Sequence, residues 1–100
     1  MENQIGLEEP GFIEIKELIE TIRKNPDVEE VRLVMLGNML NYSRIDIKTK
    51  HRDLVFNRNL LNQITRVEWR MVDKTKSSWC IDLEVNKEFD EADEGIIINV

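Results

Sequence analysis

Few side chains in this sequence are of a type that does covalent chemistry. There is one histidine, His51, and one cysteine, Cys80. A thiol becomes a nucleophile when an imidazole takes its proton and a third group orients that imidazole. His51 and Cys80 fall in different predicted elements, and no third residue stands in register with either. A zinc site needs further nitrogen or sulfur ligands, and the sequence offers none. Asp82 and Glu84 share one side of a predicted strand, as acids do on many ordinary strands. The string Asp90-Glu91-Ala92-Asp93 matches four letters of a helicase motif, but no glycine-rich phosphate loop ending in Lys-Ser/Thr accompanies it. The same stretch fails as a calcium loop. Asp90 and Gly95 fit the first and sixth positions, but Ala92 puts a methyl group where the third ligand belongs. These patterns point away from an enzyme, and they call for no metal and no cofactor.

Charge is the more informative property. The chain has 20 acidic and 14 basic residues, a net charge of −6. The acids gather at the two ends, and residues 31–86 are mildly basic. Two binding chemistries follow. The acidic row Glu14, Glu17 and Glu20, with Asp90, Glu91, Asp93 and Glu94, would face a partner protein with a basic surface, where charge attraction speeds association. These seven are the candidate partner-binding residues. Alternatively, Arg32, Arg44, Lys48 and Arg70 would project from a wet sheet face, with Lys50, His51, Arg52, Arg58 and Arg66 beside it, and bind nucleic acid. Two features weigh against that alternative. Trp69 and Trp79 carry the parity of the buried set, and Asp46, Glu68, Asp82 and Glu84 fall among the bases.

The elements that would position these groups follow from hydrophobic periodicity. Phe12, Ile15, Leu18, Ile19 and Ile22 recur at helical spacing, and Pro26 stops the helix near residue 25. Val31, Leu33 and Met35 alternate along a strand in which Val34 and Leu36 are also apolar, so both sides are covered in part. Gly37-Asn38 marks a turn, and a second strand runs over 41–49 with Ile45 and Ile47 inward. Leu40 and Tyr42 have the wrong parity for it, which a bulge near Ser43 or a true two-sided strand would reconcile. Phe56, Leu60, Leu61 and Ile64 predict a short second helix.

Residues 65–86 show the strongest alternation in the chain. Val67, Trp69 and Met71, then Trp79, Ile81, Leu83 and Val85, predict two strands of a hairpin sharing one buried face. Asp73 to Ser78 form its loop. The sequence around 96–98, three isoleucines, reads as an added strand and a candidate edge for pairing two copies.

The expected fold is therefore one α+β domain over residues 1–100, a two-layer sandwich. Its single, mostly antiparallel sheet has four or five strands, with the N-terminal amphipathic helix and a second short helix on one face. Residues 1–10 read as a loose arm and 87–95 as an acidic segment. No apolar run approaches the ~20 residues of a membrane span, and Met1-Glu2-Asn3-Gln4 has no signal-peptide character. The lone cysteine suits a reducing compartment, so the expected location is the cytoplasm.

The expected function is that of a small acidic binding protein without catalysis. Its most specific form is an inhibitor of the phage or mobile-element type, occluding the basic nucleic-acid surface of a host defence nuclease such as a CRISPR effector. A nucleic-acid-binding module and a self-associating, homodimeric structural protein are the alternatives.

Overall fold

A computed structural model of the protein describes residues 2–3, 9–50, 54–85 and 95–98, and for 2–3 and 54–57 the backbone alone. The fold is α+β, with two helices and a mixed sheet among the described residues. In chain order the elements are β1 (Glu2–Asn3), α1 (Phe12–Arg23), β2 (Val28–Met35), β3 (Tyr42–Thr49), α2 (Leu54–Thr75), β4 (Cys80–Val85) and β5 (Ile96–Ile98). The sheet order is β1-β5-β2-β3-β4, with β1 contributing only two residues.

Helix α1 buries the predicted stripe of Phe12, Ile15, Leu18, Ile19 and Ile22. Its N-cap is Gly11, in the left-handed region at φ +86°, and no side chain caps the helix. Glu14 in the first turn and Arg23 in the last both suit the helix dipole. After the helix, Asn25 Oδ1 accepts the Asp27 N–H at 2.9 Å, a turn of the kind Asn favours.

Strands β2 and β3 pair antiparallel, with Val31 opposite Ile47 and Leu33 opposite Ile45. The register breaks between Val28 and Glu30, so the expected bulge near Ser43 is absent and the ladder there is regular. Leu40 instead reaches the core from the connecting loop, while Tyr42 is half exposed. Ser43, fully buried, donates its hydroxyl to Leu40 O at 3.1 Å. Val34 is buried on the sheet side opposite the helices, as the two-sided pattern of this strand implied. Gly95, at φ +114°, lies against it: a Cβ there would come 2.7 Å from Val34 Cγ1.

The largest departure from expectation lies in residues 65–75. The stretch read as the first strand of a hairpin is the second half of α2, a helix of 22 residues rather than a short one. Val67 and Met71 are four apart. That is two steps along a strand, but it is also roughly one helical turn, so both periods accept the pair. Leu60 and Ile64 break the tie. With Val67 and Met71 they form one stripe at spacings of four, three and four, and all four join the core. No Gly or Pro interrupts residues 54–75, and Arg, Glu, Met and Lys favour the helix.

The helix ends at Lys76, whose N–H bonds Val72 O at 2.8 Å and whose φ is +58°. That is the left-handed stop usually taken by glycine. The chain then enters β4 parallel to β3, with Tyr42 opposite Cys80 and Ile45 opposite Leu83. Parallel neighbours require a long crossover, and α2 is that crossover. The expectation of antiparallel pairing holds for β2, whose neighbours β3 and β5 both run against it.

One hydrophobic cluster joins both helices to the odd-numbered residues of β2, β3 and β4 and to Ile98 of β5. Trp79 belongs to it, 8% exposed, with its indole N–H donating to Thr75 Oγ1 at 2.9 Å. Ile97 and Ile98 pair with β2 on one side and with β1 on the other, so this strand is not the outer edge there. Glu2 and Asn3, within the stretch read as a loose arm, supply that second partner.

Candidate interaction surface

The sheet side opposite the helices carries the bases that the nucleic-acid reading needs, and the structure shows what occupies them. Asp46 on β3 is fully buried. Arg32, directly opposite on β2, donates to Asp46 Oδ2 through Nη2 at 2.8 Å and Nε at 3.2 Å. Arg44, two residues away on β3, donates to Oδ1 through Nε at 2.6 Å and to Oδ2 through Nη2 at 3.1 Å. Both guanidinium groups are nearly buried, 11% and 12% exposed. Alternation along the strands put these three side chains on one face, and tertiary closure made one carboxylate serve two guanidinium groups. Charge-assisted bonds of this kind are strong and directional. Arg32 and Arg44 are thereby part of the fold. Lys48 remains exposed on β3, and Lys50 just after it. His51 and Arg52 lie outside the described residues.

The acidic row of α1 is divided. Glu14 meets Lys74 of α2 at 3.3 Å and its side chain is only 13% exposed. Glu17 and Glu20 are exposed. Glu14 and Glu17 share a groove with Thr21 on the α1 side, facing Gln63, Arg66 and Arg70 of α2. The groove therefore has acids on one wall and bases on the other. Asp90, Glu91, Asp93 and Glu94 lie outside the described residues.

The outward face of α2 holds the residue that sequence reasoning placed wrongly. Trp69, expected in the core, is 71% exposed. The physical reason is the helix: two residues beyond Val67 the side chain has turned about 200° and faces away from the sheet. Arg66, Arg70, Thr65 and Asp73 are exposed around it, and Leu61 lies further along, 52% exposed. Arg70, expected on the wet sheet face, is on this helix face instead. Beside Trp69 runs an open groove floored by Val72 and Trp79 and bordered by Lys76, Ser77 and Ser78. The stripe of Leu60, Ile64, Val67 and Met71 was the available signal, because it passes Trp69 by.

Cys80 is exposed at the start of β4. Partial burial of its thiol pushes the pKa up. The Asp82 carboxylate, 3.5 Å from Sγ, raises it further by charge and by accepting the thiol hydrogen, and Glu68 adds to this. The thiolate is the reacting form, so the sign is plain: less thiolate at a given pH means slower alkylation. Iodoacetamide near pH 8 should modify Cys80 more slowly than a free thiol. Replacing Asp82 with Asn should speed the reaction, and an unchanged rate would show that the carboxylate does not act on the thiol. An activated nucleophile has the opposite perturbation.

Among the described residues, no group of three or more His, Cys, Asp or Glu is arranged to hold a metal ion. No described helix is long and apolar enough to cross a membrane. In comparisons with protein-family models, with curated proteins and with solved structures, nothing matches this chain.

Proposed function

We propose that this chain is a small binding protein without catalysis, which acts by occupying a surface of a partner protein. Its most specific form is an inhibitor of the phage or mobile-element type, directed at a host defence nuclease such as a CRISPR effector, in the cytoplasm. The observation that carries the binding reading is Trp69, a large aromatic side chain left 71% exposed on a helix that is itself held by the core. Interfaces concentrate their energy in a few well-placed Trp, Tyr and Arg residues. Trp69 has Arg66, Arg70 and Leu61 near it on a rigid element, so little conformational entropy is lost when it is buried.

Charge supplies a separate contribution. A net charge of −6 draws the chain toward a basic partner over long range. Glu17 and Glu20, together with the acids at 90, 91, 93 and 94, would lie toward that basic surface. Arg66 and Arg70 share their groove with Glu14 and Glu17, so the rim of the Trp69 patch is of mixed charge, as protein interfaces are.

Affinity capture from a host-cell lysate with wild type, Trp69→Ala and Glu17→Lys/Glu20→Lys as parallel baits tests this reading. A partner held by the wild type should weaken about 30-fold or more with Trp69→Ala, the loss of one hot spot. The charge reversal should slow association and reduce its salt dependence. Retention of the same partner by Trp69→Ala would remove the patch from the interface.

Nucleic acid is the second reading, favoured by one observation: an exposed indole beside arginines can stack on an unpaired base. It requires oligonucleotide to quench Trp69 emission with an affinity that falls steeply as salt rises.

A further inference from the structure

Strand β4 closes one end of the sheet, and among the described residues no strand lies on its outer side. Its pairing with β3 fixes which backbone groups face outward. The Cys80 N–H bonds Asn41 O at 2.8 Å, so Cys80, Asp82 and Glu84 direct their amides at β3. Along a strand the direction alternates, so Ile81, Leu83 and Val85 direct theirs away from the sheet. The first of these is already met. The Ile81 N–H donates to Glu68 Oε2 of α2 at 2.7 Å, a carboxylate oxygen standing where a neighbouring strand's carbonyl would be. At Leu83 and Val85 no such acceptor stands among the described residues.

The side chains decide what this edge admits. Asp82 and Glu84 line its side opposite the helices, and Glu68 flanks its start. Among the described residues on that side, Arg44 stands opposite Asp82 with its guanidinium bonded to Asp46. The exposed Lys48 lies two residues beyond Asp46, the partner of Glu84, which leaves Asp82 the less neutralised of the two acids. A second copy added antiparallel along the same edge would bring Asp82 and Glu84 against their own counterparts, an unfavourable like-charge arrangement. A strand with lysine or arginine at alternate positions would meet both acids and supply carbonyls to the Leu83 and Val85 amides.

We propose that β4 accepts an extended, basic segment of a partner protein as an added strand. The start of this edge adjoins the Trp69 groove through Glu68, but the assignment rests on the Leu83 and Val85 amides with Asp82 and Glu84, and not on Trp69.

The test uses a short synthetic peptide alternating lysine with valine, its backbone N-methylated twin, and isotope-labelled protein followed by NMR hydrogen exchange. Expected is binding of the first peptide, with exchange at Leu83 and Val85 slowed by about 10-fold or more, and no such protection from the N-methylated twin. Reversal of Asp82 and Glu84 to lysine should weaken that peptide by about 10-fold or more and transfer binding to one alternating glutamate with valine. Failure of the lysine peptide to bind overturns the assignment. So does equal binding of the N-methylated twin without protection of Leu83 and Val85, because charge attraction alone would then explain it. Protection of the same two amides without peptide, rising with protein concentration, overturns it in favour of a second copy.

Discussion

Replacing Asp46 with Ala should lower stability by about 3–5 kcal/mol, because it removes the buried carboxylate that two nearly buried guanidinium groups share. Against the ~5–15 kcal/mol typical of a folded domain, this is a large fraction. Arg32 and Arg44 place four nitrogen-to-oxygen bonds on the one carboxylate, at 2.6 to 3.2 Å. Their side chains are 11% and 12% exposed, so water restores little of what is lost. Thermal unfolding followed by circular dichroism measures the effect, at roughly 4–8 °C per kcal/mol for a chain of this size.

Two further variants separate charge from packing. Asp46→Asn keeps a hydrogen-bond acceptor but loses the anion, and should fall between wild type and Ala. Replacing Asp46, Arg32 and Arg44 together by apolar residues of similar volume should recover most of the loss, since no charge is then left buried. A melting temperature for Asp46→Ala close to that of the wild type would mean that the cluster contributes little to the fold.

Gly11→Ala should cost about 2–4 kcal/mol, from two sources that act at one place. The backbone at Gly11 has φ +86°, where a side chain is strained whatever the space around it. The space is also filled: a Cβ would come 2.7 Å from Cζ3 of Trp79. The indole cannot retreat freely, because its N–H is bonded to Thr75 and the ring belongs to the core. Gly11 thus lets the start of α1 approach the turn between α2 and β4. A double-mutant cycle with Trp79→Leu tells the sources apart, since a smaller side chain relieves the clash and leaves the strain. Gly11→Ala should cost less in that background. An equal cost in both backgrounds would show that strain alone is responsible.

These two sites bear on function through what they leave available. Asp46 binds the arginines that a nucleic-acid-binding sheet face would need. Gly11 and Trp79 lock the junction beside the groove next to Trp69. Among the described residues, the surface still offers a helix face with an exposed indole, an acidic stretch of α1 at Glu17 and Glu20, and the outer edge of β4.

Much of this architecture is legible in the sequence. The α1 stripe, the inward sets of Val31 and Leu33 and of Ile45 and Ile47, and the inward set of Trp79, Ile81 and Leu83 all follow from periodicity. A side chain's face in a regular element depends only on its position along it. The stop near Pro26 is equally local. Tertiary structure decided the rest.

Val67 and Met71 satisfy two periods at once, so the local pattern left residues 65–75 open. Continuity with Leu60 and Ile64, and the parallel placement of β4 beside β3, settled the helix. That one decision moved Trp69 from the core to the surface and Arg70 from the sheet to α2. The fate of Arg32 and Arg44 was likewise beyond the sequence alone. Alternation places them on a face with Asp46, but only the strand register brings all three charges together. Local spacing determines which way a side chain points, and long-range pairing determines what it meets there.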